Sequence, residues 1–102
     1  MPTYVLMTKL DPATMKTPEG RTAAGRAWKR RVDSLCPDVR WLAHYSLLGP
    51  YDYIDIYEAP DQQTAFKVSL LSRQAGALAA ESWPALEYEK HLAILEDLGS
   101  EG

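Results

Sequence analysis

Hydrophobic and polar positions alternate with a period of two near the amino end. Tyr4, Leu6 and Thr8 interleave with Val5, Met7 and Lys9, and both sets are largely apolar. That pattern predicts a central strand covered on both faces, ended by the turn signal Asp11-Pro12. The period then lengthens. Ala24, Trp28, Val32 and Leu35 fall in one helical stripe, with Arg26, Lys29, Arg30 and Asp33 opposite. Thr17 suits the N-cap of this helix, Pro18 its first position and Glu19 its positive dipole end. Pro37 stops it.

Val39 to Leu48 and Tyr51 to Glu58 read as two strands joined through Gly49-Pro50. Gly-Pro is not a favoured two-residue turn, so a loop of three or four residues competes with a tight hairpin. In the second strand Ile54 and Ile56 point one way, and Tyr53, Asp55 and Tyr57 the other. Asp61 caps a second helix whose inner stripe is Ala65, Val68, Leu71, Ser72 and Ala75, leaving Phe66 and Leu70 to one side. Gly76 ends or bends that helix. Leu78 to Ala85 makes a fourth strand, with Pro84 at an edge or at the strand end because it cannot donate to a ladder. Leu86 to Leu98 is an amphipathic helix anchored by Leu92, Leu95 and Leu98. The expected division is one domain over 1–98 and a frayed tail over 99–102.

Strand, helix, strand, strand, helix, strand is the ferredoxin-like β-α-β-β-α-β order of an α+β fold. It predicts four antiparallel strands with two helices on one face and a C-terminal helix added. The row Tyr53, Asp55 and Tyr57 is expected on the other face. A tyrosine-rich face on so small a chain is expected to be hidden by a second copy, which makes the protein a homo-oligomer, in the first instance a dimer.

Composition narrows this picture. The 102 residues are 46% hydrophobic with a net charge of -3, which supports one core and argues against disorder. Acidic residues outnumber basic ones by 14 to 11, against non-specific nucleic-acid binding. No apolar run approaches the ~20 residues that span a bilayer, so no membrane partner is expected. A lone cysteine, Cys36, leaves no internal disulfide, consistent with a cytoplasmic protein.

Leu48-Gly49-Pro50-Tyr51-Asp52, followed by Glu58-Ala59-Pro60-Asp61, resembles the GYD-domain family, named for a Gly-x-Tyr-Asp-type hairpin. Met1-Pro2-Thr3-Tyr4-Val5, Tyr45 and Glu81 are similar to it as well. The resemblance spans most of residues 1–86 in element order, and its specific part is Leu48 to Asp61. It implies a ferredoxin-like architecture related to the dimeric α+β barrels, in which two sheets pack face to face and small molecules often bind between sheet and helices. It implies no established activity. Trp41, His44 and Ser46 depart from the family pattern.

Candidate chemistry is sparse. Gly49 permits a backbone conformation that other residues resist, and Asp52 can accept bonds from turn amides. The structural reading is a rigid turn. The functional reading makes Tyr51 and Asp52 a pocket wall, with Tyr45, Tyr53, Tyr57 and Trp41 as further binding candidates. With an even-numbered loop, His44 lies opposite Asp55, an arrangement a general base uses; with a three-residue loop it turns to the opposite face. The plainer reading, a hydrogen-bonded sheet or interface histidine, comes first, since a lone His-Asp pair is common without catalysis. Cys36 sits at a helix C-terminus, where a thiolate is disfavoured. Cys36, His44 and His91 have no metal-ligand spacing, and no phosphate loop, nucleophile elbow or dinucleotide fingerprint is present, so neither a metal nor a cofactor is expected. Arg26, Lys29, Arg30 and Arg31 read first as a solvated face, or else as a contact for an anionic ligand or an acidic partner.

Three functions compete. The first is a homo-oligomeric binding or assembly domain holding a small apolar or aromatic molecule. The second is a cofactor-independent monooxygenase- or isomerase-like enzyme using His44 or Asp55. The third is a regulatory contact through the basic helix.

Overall fold

Every backbone partner of β1 (Thr3–Leu10) is antiparallel. It pairs with β3 (Tyr53–Glu58) on one side and β4 (Ala77–Ala85) on the other, and β3 carries β2 (Arg40–Ser46) at the far edge. The sheet order is therefore β2-β3-β1-β4. In this computed structural model, which describes residues 1–13 and 16–99, the helices are α1 (Pro18–Leu35), α2 (Gln62–Gln74) and α3 (Tyr88–Gly99). The architecture is the α+β, ferredoxin-like one read from the sequence, and Pro84 lies on an edge strand as required. Of the expected tail, Gly99 closes α3, and residues 100–102 lie outside the described residues.

Local chemistry sets the helix starts. The Thr17 hydroxyl accepts from the Gly20 N–H at 3.0 Å, and the Asp61 carboxylate accepts from the Thr64 N–H at 2.8 Å and its hydroxyl at 2.7 Å. Those two bonds hold the Asp61 carboxyl below the usual range. Gly76, with φ 107°, lets the chain leave α2 and enter β4. Gly49 has no such need. Its φ is not positive, and an added Cβ would meet nothing within 4 Å. The conformational role expected of it is not used.

The face taken by β3 differs from expectation. Tyr53, Asp55 and Tyr57 lie on the same face as Thr8, Leu6 and Tyr4, their ladder partners, and that face is covered by α1 and α2 of the same chain. Leu6, Tyr57, Val32 and Val68 are all fully buried there. The inner helix stripes are rich in small residues such as Ala65 and Ser72, so large rings on the strands fill the space beneath them. Tyr57 stacks on Tyr4 with centroids 5.6 Å apart, and Trp41 tilts against it at 5.2 Å. The Tyr57 hydroxyl is satisfied by Ser82 at 2.7 Å, and Ser82 meets Ser69 of α2 at 2.7 Å. Burial pushes this phenol up to about 12. The face away from the helices is aliphatic instead, built on Val5, Met7, Ile54 and Ile56 with Tyr45 and Trp83 beside them.

Two details fix the β2–β3 register. The ladder ends at Ser46–Tyr53, and one more bond, Leu47 N–H to Asp52 C=O at 2.9 Å, closes a four-residue loop over 48–51. A bulge at Leu42 then shifts the pairing between Trp41–Tyr57 and Ala43–Ile56. On α1 the buried stripe runs from Val32 to Cys36, its neighbour four residues on, and leaves Leu35 half exposed. Burial raises the Cys36 thiol. Helix α3 buries no residue and approaches no other element.

Candidate functional site

The amino-terminal half of α1 stands off the sheet and leaves a cavity of about 670 Å³. Its floor is formed by Trp41, His44, Tyr53 and Asp55, its far end by Thr8, Ser72 and Ala77, and its roof by Arg21, Gly25, Trp28 and Lys29 of α1. The four-residue loop sets His44 opposite Asp55, and the bulge at Leu42 brings Trp41 opposite Tyr57, so that both side chains share this floor.

His44 Nδ1 lies 2.5 Å from Asp55 Oδ1. Asp55 is 5% exposed, whereas the His44 side chain is 62% exposed and stacks on Tyr53 with centroids 5.6 Å apart. Burial raises the Asp55 carboxyl above its ordinary range, against a smaller lowering effect of His44. An Nδ1–H donated to the carboxylate leaves the exposed Nε2 as an acceptor, so the pair can accept or pass one proton at the cavity wall.

The remaining charges around the cavity are positive. Arg21 donates from Nη2 to the Tyr53 hydroxyl at 3.1 Å. Lys29 bonds Asp33 at 2.6 Å and lies 5.6 Å from the Trp41 ring centroid. Arg26 also borders the space. Trp28 and Trp41 meet edge-on at 5.4 Å, and both indole N–H groups are buried without an acceptor, a cost of about 1–3 kcal/mol each. Among the described residues, these two indoles at the α1–sheet seam are the buried side-chain donors left without a partner.

Of the residues singled out from the sequence, Trp41, His44, Tyr53 and Asp55 come together at this cavity. Tyr57 lies in the packed core. Tyr45 is exposed on the opposite face. There Tyr51 packs edge-on to Trp83, and its hydroxyl donates to Glu81 at 3.1 Å, a bond that raises the Tyr51 phenol. Asp52 is a latch: Oδ2 accepts the Leu10 N–H at 2.8 Å, and its own N–H donates to Thr8 C=O at 2.8 Å. Arg26 and Lys29 border the cavity as well as solvent, which the outer-face reading did not give. Arg21 was missed altogether, although it precedes Ala24 and Trp28 at helical spacing on the inner stripe. Among the described residues, no three His, Cys, Asp or Glu side chains converge as a metal site requires, and no helix is long and apolar enough to cross a membrane.

A relative from Thermus thermophilus, named glutamine synthetase and cystathionine beta-lyase binding protein, is 26% identical over 100 residues, covering 94% of this chain and 100% of the relative. No solved structure matches the chain. The sequence profile of the GYD domain matches residues 4–95, reaching well into α3, and the chain belongs to that family.

Proposed function

We propose that this chain is a one-domain, homo-oligomeric module of the cytoplasm that binds a small molecule between α1 and the sheet. The observation that carries the reading is the cavity of about 670 Å³, within the size range of small-molecule sites and lined by aromatic rings with a few converging polar groups. The half-buried Val5, Ile54 and Ile56, flanked by the exposed rings of Tyr45 and Trp83, support assembly, because an apolar patch of this kind is favourably covered by a second copy. The name of the Thermus relative supports a role exercised through binding to other proteins.

Native mass spectrometry of freshly purified protein tests both parts. The expected result is a dimer with a retained small-molecule mass, and conversion to monomer by Ile56→Lys. A bare monomer at micromolar concentration refutes the reading.

A second reading, a cofactor-independent enzyme acting on a small aromatic or apolar substrate, is favoured by the 2.5 Å His44–Asp55 contact at the cavity wall. Solvent-deuterium exchange into a retained molecule, lost in His44→Gln, separates turnover from binding alone.

A further inference from the structure

The charge around the cavity is one-sided. Arg21, Arg26 and Lys29 border it from α1, and the one carboxylate among its lining residues, Asp55, is almost hidden and already bonded to His44. Arg21 spends one N–H on Tyr53, which holds the guanidinium over the floor, and keeps further donors. Arg26 makes no ion pair among the described residues. Lys29 is paired with Asp33 at 2.6 Å, which leaves Arg21 and Arg26 as cations without a carboxylate partner among the described residues; on a chain whose net charge is -3 that is a local reversal of sign.

Much of the rest of the wall is apolar or aromatic, with the hydroxyls of Thr8, Thr22 and Ser72 as its neutral polar groups. Trp28, Trp41 and Leu42 offer flat and branched surface for an apolar body. The cavity also lacks the successive backbone N–H groups of a glycine-rich loop that cradle a phosphate dianion. Together these features select a singly charged acid with a sizeable apolar body.

Resting on the ligand-cavity reading above, we infer that the occupant is a small amphipathic carboxylate. Its apolar body lies against Trp28, Trp41 and Leu42, and its carboxylate lies among Arg21, Arg26 and Lys29. Charge-assisted bonds to Arg and Lys orient it, and the rings supply the contact area.

Isothermal titration of the full chain with 3-phenylpropanoate, 3-phenylpropanamide and 3-phenylpropylamine tests this. These probes share a body and differ in charge. The acid is expected to bind at least about ten-fold tighter than the amide, the amine weakest, and the acid's advantage to shrink as salt is raised. The exposed pair Arg26→Gln and Lys29→Gln, which keeps good helix formers on α1, is expected to narrow the acid-to-amide ratio to below about three-fold. The salt titration needs no variant, so the test survives a folding defect. Amide or amine binding as tight as the acid, or a ratio indifferent to salt, overturns the inference while leaving a ligand cavity in place. Failure of all three probes to bind overturns the cavity reading and this inference with it.

Discussion

Replacing Asp52 with alanine asks whether the hairpin carboxylate is a latch or part of a binding wall. The β1–β3 ladder ends at Thr8–Tyr53, so the Leu10 N–H has no strand partner on that side. Asp52 Oδ2 takes its place at 2.8 Å in a partly buried setting. A bond to a charged acceptor contributes about 1.5–3 kcal/mol, and alanine leaves the Leu10 donor unpaired. For a domain of this size each kcal/mol moves the midpoint by about 4–8 °C, so the melting temperature is expected to fall by about 6–24 °C. Asp52→Asn keeps an oxygen at the same reach and is expected to lose less than half as much. Urea unfolding followed by circular dichroism gives the free energies, and thermal melts give the midpoints. An alanine variant within about 0.5 kcal/mol of the parent refutes the latch. Loss of a retained small molecule at unchanged stability would instead return Asp52 to the binding wall.

The two glycines of the turns should behave oppositely. Gly49→Ala is expected to be neutral or stabilising by up to about 1 kcal/mol, since the added methyl meets open space at an ordinary φ, whereas Gly76→Ala, at φ 107°, should destabilise by more than that; equal melting temperatures would contradict this. Asp55 gives a pH signature. Its folded carboxyl titrates above its unfolded value, so between the two the folded chain holds a proton the unfolded chain has released, and stability falls as pH rises through that window. Asp55→Asn cannot titrate, and its stability relative to the parent is expected to improve as pH rises from the ordinary carboxylate range towards neutrality. Urea midpoints across that range check the sign, and a relative stability that declines with pH disproves it.

Much of the fold was legible because local signals agreed with packing. Thr17 and Asp61 cap where their side chains predict, and Ala65, Val68, Leu71 and Ser72 are the buried stripe of α2. The face of β3 was not legible. A rule that sends polar residues outward puts Tyr53, Asp55 and Tyr57 away from the helices. It fails because each polar atom finds a partner inside: the Tyr57 hydroxyl on Ser82, the Asp55 carboxylate on His44, the Tyr53 hydroxyl on Arg21. The His44–Asp55 pairing stayed open for a different reason. It depends on whether the loop over 48–51 holds an even number of residues, which Leu48-Gly49-Pro50-Tyr51 does not declare. The bulge at Leu42, farther from the turn than His44, decides instead that Trp41 joins the same face, and nothing in Arg40-Trp41-Leu42-Ala43 marks it, since every residue there fits a strand. Arg21 escaped because a long charged side chain can run along an apolar face with its head in reach of water, so its place on the inner stripe carried no visible signal.

The reversed face of β3 changes how assembly and ligand binding relate. Had the tyrosine row met a second copy, the two functions would compete for one surface. Instead the cavity opens on the helix side, and the aliphatic row lies on the other. A dimer closed on Val5, Ile54 and Ile56 therefore leaves both cavities accessible, each bordered by its own Arg21, Arg26 and Lys29. The two sides still share β3, whose alternate residues serve one face and then the other: Tyr53 and Asp55 at the cavity, Ile54 and Ile56 at the free face. In the proposed dimer, covering the isoleucines would restrain the β3 backbone that carries Tyr53 and Asp55, reducing the ordering a ligand must otherwise impose on them. The proposed dimer is therefore expected to bind the acid probe more tightly than the Ile56→Lys variant in the same titration, and equal affinity of the two would refute this coupling.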